Sequence, residues 1–367
     1  MKYADDKMID TYQEWQQAQK IPIHTGFFIE DVKRVETAPW DLKGGRGAFI
    51  NLEGTGGTND AYVCEIPPGG KLKPQKHLYE EMVFIVDGHG ATSIWQKDGK
   101  KHTFEWHPGS LFAIPLNARY QHFNGQGNAP VKYFAVTNAP FMISVFHNLD
   151  FIFNNDYSFT DRFSPEEEGD YFSGKGQLWG DKLSVNFVPD TVTIPLYEKK
   201  ERGAGGNRHV RFDLAGNIMM SHISEFAVGT YKKAHRHGPG AHVTILTGRG
   251  YSLLWPDGKE PIRVDWKPGS VVVPPNQWFH QHFNSSAEPA RYLALRWNTW
   301  RYRFAMFNHE DAPTDKSVKE GGAQIEYEDE DPKIHKMFEA ALAQAGARCR
   351  MGHAVPWCTQ RESARAV

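Results

Sequence analysis

Trp266–Asn284 reads WKPGSVVVPPNQWFHQHFN, and 160 residues earlier Trp106–Asn124 reads WHPGSLFAIPLNARYQHFN. Both stretches carry Pro-Gly-Ser, an apolar run, a proline and a closing Gln-His-Phe-Asn. A second pair keeps the same offset: Leu72–Gly90 (LKPQKHLYEEMVFIVDGHG) falls on Lys232–Gly250 (KKAHRHGPGAHVTILTGRG), and Trp95 falls on Trp255. Self-similarity at a fixed period fixes the architecture before any local reading does. The chain holds two copies of one unit.

Within each copy, short β-branched and aromatic runs are separated by Gly, Pro and Asn, the pattern of strands joined by turns. Residues 61–66, 82–86, 111–114 and 131–136 are predicted strands in the first copy. Residues 242–247, 251–255, 271–273 and 291–297 answer them in the second. Closely spaced strands without an intervening helical period indicate an all-β sandwich or barrel. Helix is expected only at the ends, over residues 10–19 and 333–345. The latter follows an Asp331-Pro332 start signal and places Ile334, Met337, Phe338 and Leu342 on one face. The expected organisation is an N-terminal arm (1–47), a first barrel (48–147), an inter-repeat arm (148–207), a second barrel (208–305), and an acidic loop with a C-terminal helix (306–367). Both arms are expected to lie against barrel edges, and the acidic run Glu326–Asp331 to be a solvated loop. A homo-oligomer is expected from the same need to cover edges.

The sequence has 40% hydrophobic and 13% aromatic residues, enough for folded cores. Lys and Arg (42) nearly balance Asp and Glu (44), so no basic excess points to nucleic acid or an anionic membrane. Three cysteines without a C-x-x-C fit a reducing compartment. No apolar run suits a bilayer span and the first residues lack a signal peptide's apolar stretch. A cytoplasmic protein is the expectation.

The two copies differ where chemistry would lie. Aligned with Gln75, His77, Glu81 and Tyr120 in the first are His235, His237, Ala241 and His280 in the second. Residues at i and i+2 of a strand project from one face, so His235 and His237 can reach one ion. His280 would arrive from another strand. Three neutral imidazoles suit Fe, Zn, Cu or Ni. The first copy offers one imidazole, one carboxylate, an amide and a phenol, a poor transition-metal set, so one metal per chain is expected.

These motifs resemble those of the cupin superfamily, G-x5-H-x-H-x3-4-E-x6-G followed by G-x5-P-x-G-x2-H-x3-N. The second copy gives Gly229, His235, His237 and Gly248, then Gly269, Pro275, Gln277, His280 and Asn284. The first gives Gly69, Gln75, His77, Glu81 and Gly88, then Gly109, Pro115, Asn117, Tyr120 and Asn124. The chain is similar to a bicupin, which implies two tandem double-stranded β-helix (jelly-roll) barrels with a few peripheral helices. Ala241 at the family's Glu position gives a three-His site similar to that of bicupin dioxygenases cleaving gentisate, salicylate and hydroxynaphthoate. In that group the N-terminal barrel usually carries the iron; here the C-terminal one has the ligands.

The expectation is therefore a metal-dependent dioxygenase, with Fe(II) first and Zn, Ni, Mn or Cu open, cleaving a small oxygenated aromatic or enolic acid that chelates the metal. A non-redox cupin metalloenzyme (isomerase, decarboxylase or lyase) and a non-catalytic small-molecule-binding bicupin are the alternatives. Metal ligands are expected to be His235, His237 and His280, with His242 a further candidate should the Gly238-Pro239-Gly240 loop shift the register. His282 is the candidate proton-transfer residue, although His122 holds the same place in the first copy and a packing role serves both. Trp278 and Arg296 are candidate substrate contacts, and Arg249 and Arg263 could join Arg296 in clamping a carboxylate.

Overall fold

The computed structural model describes residues 6–97, 99–163, 171–198, 203, 206–297, 299–302 and 315–360. The fold is all-β in its body, with two tandem jelly-roll barrels. In the first copy the strands Gly45–Leu52, Asp60–Ile66, Val131–Thr137, Glu81–Asp87 and Leu111–Ile114 lie side by side in one sheet. A smaller sheet of His102–Trp106, Gly90–Trp95 and Arg119–Asn124 packs with it around a common core. The second copy repeats this with Arg208–Asp213, Met220–Phe226, Ala290–Arg296, His242–Thr247 and Val271–Val272 against Ile262–Trp266, Gly250–Trp255 and Phe279–Asn284.

Register carries the equivalence. Gly90 pairs with Trp106 and Asn124, and Gly250 with Trp266 and Asn284. Val83 pairs with Phe112, and Val243 with Val272. The offset contracts by one residue in the last strand, where Phe84 pairs with Phe134 but Thr244 pairs with Leu293.

The two large sheets turn their outer faces toward each other. Met82, Phe84, Phe134 and Val136 of one pack with Val210, Phe212, Leu293 and Leu295 of the other in a shared core. Strands covered on both faces read as continuous apolar runs rather than alternations, as Glu81–Asp87 (EMVFIVD) does. Glu80 crosses the same boundary, where its carboxylate accepts from Ile218 N and Met219 N at 2.9 and 2.8 Å.

The arms are exchanged between the barrels. Phe28–Ile29 of the N-terminal segment adds a strand beside Val271–Val272 of the second barrel, while Phe187–Val188 of the inter-repeat segment adds one beside Leu111–Phe112 of the first. Ser270 Oγ donates to Glu30 O and Ser110 Oγ to Pro189 O, each at 2.7 Å. The duplication thus extends into the arms. The boundary drawn near residue 305 lies outside the described residues.

Helices are α1 (Thr11–Ala18), α2 (Ala139–Phe146), α3 (Leu149–Asn154) and α4 (Pro332–Gln344). Placing helix only at the ends was incorrect. α2 and α3 are six to eight residues long, too short to show a period, and an apolar run broken by Pro140 reads as strand or loop. The acidic run is not a solvated loop either. Gln324–Ile325 pairs with Ala234–His235 and pulls the next residues inward, where buried Glu330 accepts from Tyr231 Oη at 2.7 Å and Gln281 Nε2 at 2.6 Å. Among the described residues no helix is long and apolar enough to cross a membrane.

Candidate metal centre

His235 lies directly across the ladder from His280, so both imidazoles leave the sheet on one face. His237 follows two residues on, with its carbonyl held by Gln277 N at 3.1 Å. The ring centroids are 4.3 Å apart for His235 and His280, 4.8 Å for His237 and His280, and 5.6 Å for His235 and His237. One ring nitrogen from each lies within 4.8 Å of the other two.

Two tautomers follow from the surrounding backbone. Nδ1 of His235 faces Lys233 O and Nδ1 of His280 faces Trp278 O, each at 3.2 Å. A carbonyl only accepts, so each Nδ1 carries the hydrogen and each Nε2 keeps its lone pair for a cation. The donor set therefore fits a divalent metal. With no carboxylate among these ligands, an ion would keep its full charge.

The pleat explains the rest of the cavity, whose volume is about 150 Å³. Alternate residues of one strand face it: His222 and Ser224; Ala241 and Val243; His280 and His282; Tyr292, Ala294 and Arg296. Lys232 enters from below, its ammonium donating to Tyr292 Oη at 2.9 Å and lying 4.7 Å from that ring's centroid. Arg211, at the rim, is paired with Asp181 at 2.9 Å. Among the described residues lining the cavity there is no Asp or Glu.

Of the residues singled out from sequence, His235, His237, His280, His282 and Arg296 meet in this cavity. His242 does not. Neighbour to Ala241, it points from the opposite face of the strand into the core between barrels, where Nδ1 lies 3.3 Å from Asn59 Nδ2 and the ring packs 6.0 Å from Phe134. Burial pushes its pKa down to about 3. The register-shifted ligand expectation is corrected by the ladder, which sets Val243 opposite Val272 as it sets Val83 opposite Phe112 and so leaves His242 on the Met82 face. Trp278 also lies off the cavity, packed 5.9 Å from Phe27. Arg249 and Arg263 are exposed, and Arg263 pairs with Asp265 at 2.7 Å. Sequence reading missed Lys232, His222 and Tyr292. Lys232 aligns with apolar Leu72, and that change at an inward position was the available signal.

His282 is buried, and its Nδ1 lies 2.7 Å from Ser252 Oγ, which accepts from Trp266 Nε1 at 3.1 Å. His122 repeats this arrangement with Thr92 and Trp106. Burial first, then His280 and Lys232, hold the His282 pKa well below its usual value. Its surroundings disfavour the charged imidazolium.

The first barrel fills the equivalent space from within. Tyr62 replaces His222, Tyr120 replaces His280, and Gln75 turns out to bond Leu42 O at 3.0 Å. Buried Lys43 donates to Tyr62 Oη at 2.8 Å and to Tyr120 Oη at 3.3 Å, and lies 3.9 Å from Glu81. His77 Nε2 is 3.0 Å from Tyr120 Oη and 3.4 Å from Glu81. An ammonium group stands among the side chains that would otherwise surround a metal.

No family model matches the chain. A 48-residue stretch is 46% identical to acireductone dioxygenase of Bacillus cereus and 44% identical to that of Bacillus mycoides, covering 13% of this chain. The match spans 28% of the length of these relatives. Among solved structures, the chain is similar to oxalate decarboxylase, with TM-score 0.49 and 12% identity over 76% of this chain and 78% of that one. A variant of the Bacillus subtilis enzyme gives TM-score 0.48 and 11% identity over 74% and 77%.

Proposed function

We propose that the chain is a metal-dependent cupin enzyme whose second barrel acts on a small anionic acid that chelates the ion through two oxygens. Its chemistry is proposed to be non-redox: decarboxylation, isomerisation or lyase cleavage. One observation carries this reading. Three imidazoles, Lys232 and Arg296 line one small cavity in which none of the described lining residues is acidic, so bound anionic oxygens would meet positively charged and hydrogen-bonding groups. A divalent ion there would supply Lewis-acid polarisation. Lys232 and Arg296 orient the carboxylate, Arg296 as a fork and Lys232 as a point charge. His282, set by Ser252 and Trp266, is placed to accept or return a proton within the cavity. The apolar lining is small, from Ala241, Val243, Pro274 and Ala294, which favours a short acid over a fused ring.

The second reading is the dioxygenase, with Fe(II), favoured by the partial identity with acireductone dioxygenase. The test separates them. Anaerobically prepared, metal-analysed protein is offered short hydroxy-, oxo- and dicarboxylic acids and enolic acids, and product formation is followed with and without oxygen. Turnover without oxygen is expected. His235→Ala, His237→Ala or His280→Ala should each remove one metal per chain and the activity while keeping the circular dichroism of the fold. His282→Ala should keep the metal and lose most of kcat. Product formed only with matching oxygen uptake would overturn the non-redox reading in favour of the second. Tight binding without turnover would leave a binding protein.

A further inference from the structure

The chain after the second barrel brings four metal-binding side chains to one point, well away from the three histidines in sequence. His335 and Glu339 sit one turn apart on α4, so their side chains leave the same face. Imidazole Nε2 and carboxylate Oε1 are 3.4 Å apart. Cys349 and Cys358 come from the segment that folds back over the helix. Their sulfurs are 3.6 Å apart, with Cys349 Sγ 3.9 Å from His335 Nε2 and Cys358 Sγ 3.6 Å from Glu339 Oε1. All four donor atoms fall within 4.8 Å of one another.

Four of the six donor separations, 3.4 to 3.9 Å, are close to those around one tetrahedral ion. Zn–S bonds of about 2.3 Å and Zn–N or Zn–O bonds of about 2.0–2.1 Å place neighbouring donors roughly 3.3–3.8 Å apart at tetrahedral angles. A disulfide needs sulfurs at about 2.05 Å, so two thiols here face a common point instead.

The surroundings orient the donors independently. Tyr231 Oη donates its only hydrogen to Glu330 Oε1 at 2.7 Å, so at 3.0 Å it accepts from His335 Nδ1. That tautomer leaves the Nε2 lone pair facing the sulfurs. Glu339 Oε1 is held by Thr359 N and Thr359 Oγ1 at 2.9 and 2.7 Å.

We propose that His335, Glu339, Cys349 and Cys358 form a second, structural metal site of the zinc type. Four protein ligands leave no open position, so the site serves folding rather than catalysis. Loading with Zn²⁺ displaces the two thiol protons to solvent and makes four bonds to the ion without any change of oxidation state. It would pin the tail to α4, whose Phe338 packs 4.9 Å from Tyr231 and 5.8 Å from Phe283. The same segment supplies Gln324–Ile325, the neighbour of the strand carrying His235.

The test uses the full chain carrying His235→Ala and His280→Ala, purified under reducing conditions and loaded with Zn²⁺ or Co²⁺. Uptake of one metal per chain is expected. The cobalt form should show thiolate-to-metal charge transfer and intense tetrahedral visible bands, and zinc should raise Tm. Adding Cys349→Ser and Cys358→Ser should abolish uptake, whereas Cys64→Ser should not. Should the cysteine variants fail to fold, thiol alkylation of the unmodified protein decides: zinc should slow modification of Cys349 and Cys358, and chelation should restore it. Folded, reduced protein that takes up no metal, a cobalt spectrum without thiolate bands, or alkylation indifferent to zinc would overturn the site.

Discussion

Lys43 and Glu81 show at the residue scale how a metal position is retired. Both are buried, at 2% and 0% exposure, and a charge held there persists only with a partner. Burial alone would raise the Glu81 pKa, but the Lys43 ammonium and His77 outweigh it and hold the carboxyl below its usual range. Lys43→Met keeps the length and removes the charge, leaving Glu81 without its cation. We expect a loss of about 3–5 kcal/mol in urea unfolding, most of it recovered by adding Glu81→Gln, and an unchanged metal content. Equal destabilisation by the single and double variants would contradict the pairing. Asp60 behaves oppositely. Burial raises its pKa to about 7, against hydrogen bonds from Tyr12 and Thr55 that lower it. The folded chain thus holds this proton more tightly than the unfolded one. Its contribution to stability is complete below about pH 4, the unfolded pKa, and is lost as pH rises through about 7. Asp60→Asn should flatten that part of the stability profile; an unaltered slope would show that other groups set it.

At the scale of elements, the strands were legible because each one's turn chemistry and apolar content agree. The H-x-H pair was legible because a pleat puts alternate residues on one face. The pleat also explains the failure at His242, since one residue of register separates a cavity position from the inter-barrel core. Two-residue strands such as Phe28–Ile29 and Phe187–Val188 carry no period, so the exchanged arms became visible only through their partners. The four-ligand cluster hid because its cysteines are nine residues apart and its His-Glu pair is an ordinary helical spacing. The arms also explain two glycines. Gly269 and Gly109 have φ of +91° and +92°, and a Cβ would stand 2.7 Å from Asp31 Oδ1 or 3.1 Å from Asp190 Oδ1. Gly269→Ala should cost more than about 1 kcal/mol and speed protease cleavage within residues 20–40. Unchanged stability and cleavage would mean that the arm does not depend on that turn.

For the whole molecule, the exchange of arms and the shared core make the two barrels thermodynamically one body. The large sheets bury their outer faces against each other and against arm residues such as Val32 and Val188, and each gains an edge strand from an arm. Cutting the chain between the copies would expose both faces and strip the first barrel of Phe187–Val188. Glu80 adds a polar tie, because without it the Ile218 and Met219 N–H groups lose their acceptor inside the interface and Arg162 loses one of its acidic neighbours. Domains joined by a small polar contact unfold separately, whereas a continuous apolar core couples them. The full chain is therefore expected to melt in a single calorimetric transition whose van't Hoff and calorimetric enthalpies agree. Glu80→Ala should lower that transition through the unsatisfied groups, by about 1–3 kcal/mol, without splitting it, since Met82, Phe84, Leu293 and Leu295 still hold the sheets together. Two resolved transitions in the unmodified chain would mean that the barrels fold independently and that the arms merely decorate their edges.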